Sequence, residues 1–92
     1  MKSTYISEDG YVTGAAATSQ RTRVYGMSIF STATAGSVVL KDGGSGGTSM
    51  CQIDTPASAT EFFTVMWGGN GILFHTDCYA DVTDCKCTVF WG

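Results

Sequence analysis

With 92 residues, 43% of them hydrophobic and only 14% charged, the chain holds one small domain with a core of limited size, too apolar and too aromatic for disorder. The formal net charge of -3 comes from five Lys and Arg against eight Asp and Glu scattered without runs, so there is no basic stripe to neutralise phosphates and no nucleic-acid partner is expected. No window approaches the roughly 18 consecutive apolar residues of a membrane helix, and residues 1–9 have no apolar leader core, so a soluble product made in the cytosol is expected, with no membrane partner.

Helical patterning is nearly absent, which leaves strands as the source of order. Residues 1–20, rich in Ala and Thr with Gly10 and Gly14, read as an extended arm or an extra edge strand, and residues 21–92 as the folded unit. Thr22–Ser31 alternates, with Val24, Gly26, Ser28 and Phe30 on one face and Arg23, Tyr25, Met27 and Ile29 on the other, as a long core strand would. Residues 37–41 and 48–54 flank Gly43-Gly44-Ser45-Gly46-Gly47 as a hairpin, its glycines supplying positive φ, and Pro56 ends the second strand because it cannot donate to a ladder.

Residues 60–67 follow, with Phe62, Thr64 and Met66 set against Phe63, Val65 and Trp67. A run apolar on both sides predicts a central strand or a subunit contact. Gly68-Gly69-Asn70-Gly71 marks a turn, and residues 72–75, 79–83 and 86–91 complete a series of short strands. The pattern predicts an all-β fold: one small antiparallel β-sandwich or jelly-roll-like barrel of about seven short strands with an extended N-terminal arm.

Cys51, Cys78, Cys85 and Cys87 make an even set, but without an oxidising context free thiols packed as small hydrophobes are the default reading. His75-Thr76-Asp77-Cys78 followed by Cys85-Lys86-Cys87 has zinc-binding residue types, yet the Cys-x-Cys half matches no standard knuckle and places Cys85 and Cys87 on one face of a strand. A Cys78–Cys85 disulfide would require residues 79–84 to form a hairpin. Asp77, Asp81 and Asp84 lack the dense spacing of a calcium loop and read as solvated turn residues.

The glycine loop resembles a phosphate cradle only superficially. Thr48-Ser49-Met50 follows it where a P-loop needs Lys-Ser or Lys-Thr and a helix. The lone His75 has no argued nucleophile partner, so no catalytic, cofactor-binding or metal residue is assigned, no cofactor is called, and the chain is read as a non-enzyme. Phe62, Phe63, Trp67, Phe90 and Trp91 exceed what one face of a small sandwich hides, which points to a protein contact surface and an oligomer.

Arg21 to Ile29, Thr34 to Thr48, Ile53 to Ala57, Gly71-Ile72-Leu73-Phe74 and the ending Thr88 to Gly92 together resemble small structural proteins of tailed phages, especially marine and cyanobacterial ones. The likeness covers about residues 21–92 and rests on strand and turn motifs rather than catalytic signatures; the cysteines near the C-terminus depart from it. It implies a virion location and, first, a capsid decoration or cement protein that binds the major capsid protein, as a homotrimer by analogy. The second reading is a tail, neck or fibre component, with Trp67 and Trp91 stacking on a glycan.

Overall fold

The computed structural model describes residues 2–13, 21–58 and 61–92. These residues form two antiparallel sheets and no helix. In chain order the strands are β1 Lys2–Ile6, β2 Gly10–Tyr11, β3 Thr22–Ser31, β4 Gly36–Asp42, β5 Thr48–Thr55, β6 Phe62–Met66, β7 Ile72–Phe74, β8 Cys78–Thr83 and β9 Cys85–Trp91. The first sheet runs β1-β9-β3-β6, with β7 also paired to β3, and the second runs β2-β8-β4-β5. The expected all-β sandwich is what the chain forms. Two of its strands come from the first 11 residues, where β1 pairs with β9 and β2 with β8 inside the same chain. The rest of the expected arm, residues 14–20, lies outside the described residues.

The long core strand departs from simple alternation. On β3 the partner of Val24 is Trp91 and that of Gly26 is Phe90, so one extra residue is inserted on β3. Such a bulge reverses the phase of every side chain beyond it. Thr22 and Val24 are buried before it, and Met27, Ile29 and Ser31 after it, while Ser28 and Phe30 turn outward. The single-face grouping of Val24 with Ser28 and Phe30 is therefore wrong. Gly26 permits the close approach there, because a Cβ would lie 2.4 Å from the Val65 carbonyl oxygen.

A second correction concerns β6. It pairs with β3 and, among the described residues, with nothing on its other side, so it is an edge strand rather than a central one. Phe63 and Val65 turn half-buried toward the core, and Phe62, Thr64 and Met66 are exposed. Its alternation survives at the edge because only one of its faces meets the second sheet.

The core is filled from both sheets: Met27, Ile29 and Val89 from the first, Val38, Leu40 and Ala80 from the second, with Phe74 the largest fully buried side chain. One residue, Asp84 at φ 50°, carries the chain from β8 in one sheet to β9 in the other. Aspartate tolerates this left-handed conformation better than most residues. The corner is locked by the Thr32 hydroxyl, which donates to the Asp84 carbonyl at 2.8 Å.

Candidate functional site

The His75–Cys87 stretch does not converge into a metal centre. Among the described residues no group of three or more His, Cys, Asp or Glu side chains is placed to hold an ion. Residues 79–84 do not form a hairpin either: they belong to β8 and the sheet-switching corner, so Cys78 opens a strand of the second sheet and Cys85 opens one of the first. The Cys78–Cys85 link is not made. All four cysteines are free.

Cys78 is buried on the second sheet, and Cys85 and Cys87 on the first, the latter two on one face with exposed Lys86 between them. Burial pushes the Cys87 thiol up to about 12, with the neighbouring Cys85 adding to the effect. Burial raises Cys78 too, helped by Cys51, Asp77, Asp42 and Cys87 nearby. Groups held so firmly as neutral thiols are packing residues rather than nucleophiles.

The glycine loop is occupied by its own protein. Asp42, the last residue of β4, accepts backbone N–H bonds from His75 at 2.9 Å, Thr76 at 2.9 Å and Asp77 at 3.4 Å. In return the Asp77 carboxylate accepts the N–H groups of Gly43 at 3.2 Å and Gly44 at 3.0 Å. The β4–β5 loop and the β7–β8 connection are thus clasped by two reciprocal aspartates. Asp77 is 4% exposed, so it is not the solvated turn residue expected, and Asp81 lies within β8 with its carboxylate 3.2 Å from the Lys41 ammonium. Asp84 alone of the three keeps the expected turn position.

Burial acts to raise the Asp42 carboxyl, but the three N–H groups and the nearby His75 outweigh it, and the net shift is below the ordinary value of 3.8. A carboxylate lowered in the native state stabilises fully above the ordinary value, and the contribution is lost as pH falls through the lower native one. Asp42→Ala is expected to cost about 1–2 kcal/mol at neutral pH, the range for losing a backbone-capping carboxylate. That corresponds to about 5–10 °C in melting temperature for a domain of this size. Thermal melts at neutral pH and below the ordinary value check this, and the gap between variant and parent should narrow in acid.

What stands out is an asymmetry between the two outer faces. The second sheet presents polar pairs, Lys41 with Asp81 and Gln52 Nε2 with Asp54 at 3.0 Å, and one exposed large hydrophobic among the described residues, Met50 at 38%. The first sheet presents Tyr5, Phe30, Phe62 and Met66, exposed by 59%, 53%, 64% and 55%. Phe30 and Phe62 are opposite each other across β3 and β6, and their rings stack at 5.3 Å. Two positions along the same pair, the Ser28 and Thr64 hydroxyls meet at 2.9 Å. Beside Phe30 a shallow groove of about 460 Å³ opens between Tyr5, Lys86 and the residues Ser31, Thr32 and Ala33.

Of the aromatic residues singled out in the sequence, Phe62 belongs to this face, whereas Phe63, Trp67 and Trp91 pack against the core. The Trp91 indole donates to the Thr4 hydroxyl at 2.9 Å and lies 4.9 Å beneath the Lys2 ammonium. Neither tryptophan is free as a stacking platform. Tyr5 and Phe30 were missed, because the bulge at Gly26 and the pairing of β1 with β9 bring them to the outer face, and neither is visible as a local pattern. No protein-family model, curated protein or solved structure matches this chain.

Proposed function

We propose that this chain is a non-enzymatic virion structural protein of a tailed phage, a capsid decoration or cement protein that binds the major capsid protein through the outer face of its first sheet. The observation that carries this reading is the gathering of Tyr5, Phe30, Phe62 and Met66 on one face of a weakly charged domain, whose other face carries a single exposed large hydrophobic among the described residues, Met50. Aromatic side chains exposed together are what protein contacts bury, each contributing about 1.5–3 kcal/mol when fully covered. The resemblance of residues 21–92 to phage structural proteins supplies the setting, and a homotrimer is the form suggested by analogy.

The test is co-sedimentation with empty head shells built from the major capsid protein of the genome that encodes the chain. The parent protein should bind, and Phe30→Ser with Phe62→Ser together should weaken binding at least about tenfold, the scale of hot-spot truncation. Because both rings are more than half exposed, the double variant should keep its fold by circular dichroism. A parent protein with no affinity for shells would sink the proposal.

The groove beside Phe30 favours a second reading, a tail, neck or fibre component that binds a glycan. Tyr5 and Phe30 offer ring faces, and Lys86 offers a donor, at its rim. Glycan-array binding abolished by Tyr5→Ala, without loss of fold, is the result that would place this reading first.

A further inference from the structure

The free edge of β6 differs from the other sheet edges. Edge strands are normally guarded against pairing by charge, proline, bulges or brevity. The edge strand β1 carries Lys2, β2 has only two residues, and β5 carries Asp54, is bulged opposite Leu40 and Lys41, and is followed by Pro56. The Val82 N–H beyond the end of β2 is capped by the Asp9 carboxylate at 2.8 Å. Phe62-Phe63-Thr64-Val65-Met66 has no charge, no proline and no bulge in its pairing with β3.

Its hydrogen-bonding parity can be read from the ends. The Trp67 N–H donates to the Tyr25 carbonyl at 2.9 Å, and the Glu61 carbonyl accepts from the Ser31 N–H at 3.0 Å, so the odd-numbered residues of β6 bond toward β3. In an antiparallel ladder the alternate residues then face the other way. Phe62, Thr64 and Met66 therefore aim their N–H and C=O groups at the open edge, and no strand pairs there among the described residues.

From this we infer that β6 is a strand-pairing edge whose occupant is the β6 of a second copy, related by a two-fold axis at Thr64. The edge is self-complementary. Antiparallel pairing about Thr64 sets it opposite its own copy and Phe62 opposite Met66, and all three positions have outward-facing donors and acceptors. No like charges meet, since the strand has none, and the paired side chains Phe62 and Met66 are both exposed in the isolated chain. The first sheet becomes continuous through two copies, and its aromatic outer faces align side by side. This contact is two-fold, distinct from the three-fold arrangement expected by analogy, and it does not depend on binding to a head shell.

The experiment is sedimentation velocity over a range of concentrations, on the parent chain, Thr64→Pro and Thr64→Val. Proline removes an N–H that faces the open edge and leaves the bonds to β3 in place, a site where strands tolerate it. Valine keeps the N–H and serves as the side-chain control. The expected result is a dimer for the parent and Thr64→Val and a folded monomer for Thr64→Pro. A parent that stays monomeric at the highest concentration, or a Thr64→Pro variant that still dimerises, overturns the inference. Should Thr64→Pro fail to fold, amide hydrogen exchange on the parent decides: slowing at Phe62, Thr64 and Met66 as concentration rises supports the two-fold pairing, and concentration-independent exchange there refutes it. Shell binding retained by monomeric Thr64→Pro would leave the decoration role intact, which separates the two claims.

Discussion

Phe74→Ala is expected to destabilise the fold by about 3–5 kcal/mol, the range for truncating a buried phenylalanine. Phe74 is fully buried at the end of β7, opposite Thr22 of β3, and is the largest such side chain. A domain of this size has only about 5–14 kcal/mol in total and lies toward the lower end because its core is small. The substitution therefore removes a large share of the whole. Urea unfolding is the measurement, and the midpoint should fall with little change in slope. Phe62→Ala provides the contrast: Phe62 is 64% exposed and packs on Phe30 alone among rings, so its loss should change stability by less than about 1 kcal/mol. Equal effects from the two substitutions would contradict this placement of the core.

Alkaline unfolding is the second large effect. Each of the four cysteines has its thiol raised, first of all by burial, from the ordinary value of 9.0. For an acid raised in the native state, stability is fully present below the unfolded value and is lost as pH rises toward the native one, because the unfolded chain releases its proton first. Cys87, pushed up to about 12, sets a window from 9.0 upward. Within it each such thiol removes about 1.4 kcal/mol per pH unit, so Cys78 and Cys87 together remove nearly twice that. Unfolding should be steep above about pH 10 when followed by tryptophan fluorescence. Cys78→Ala with Cys87→Ala should be less stable at neutral pH yet lose stability more gradually in alkali. An unchanged alkaline slope would show that other groups govern it. Thiol-specific reagents at mildly basic pH should likewise reach half-buried Cys51 before the three buried thiols.

These thiols show where reading from residues works and where it stops. Cys85 and Cys87 flanking Lys86 on one strand face follows from the two-residue period of any strand, and both are buried on that face. Whether Cys78 could meet Cys85 was undecidable locally. Residues 79–84 carry the same pattern whether they fold back as a hairpin or run on as β8, and a single left-handed residue, Asp84, sends β9 to the other sheet.

The clasp between Asp42 and Asp77 was equally hidden, since it joins loops 35 residues apart through backbone N–H groups that carry no side-chain signature. The glycine loop could be separated from a phosphate cradle by its missing lysine, but not assigned its actual partner. The aromatic surplus was legible as a surplus. Which rings make it up depended on the bulge, which turned Phe30 outward, and on the pairing of β1 with β9, which set Tyr5 beside Lys86.

By itself, then, the amino-acid sequence determined the all-β class, the β4–β5 hairpin and most of the strand positions, because turn chemistry and the two-residue period act over a few neighbours. Tertiary structure decided what lies between distant residues: the division of strands into two sheets, the edge position of β6, the burial of Phe74, the packing of both half-buried tryptophans against the core, and the outer face shared by Tyr5, Phe30, Phe62 and Met66. A strand's pattern records that one of its faces is covered, but not by which strand, and an edge is recognised only when every pairing in the sheet is known.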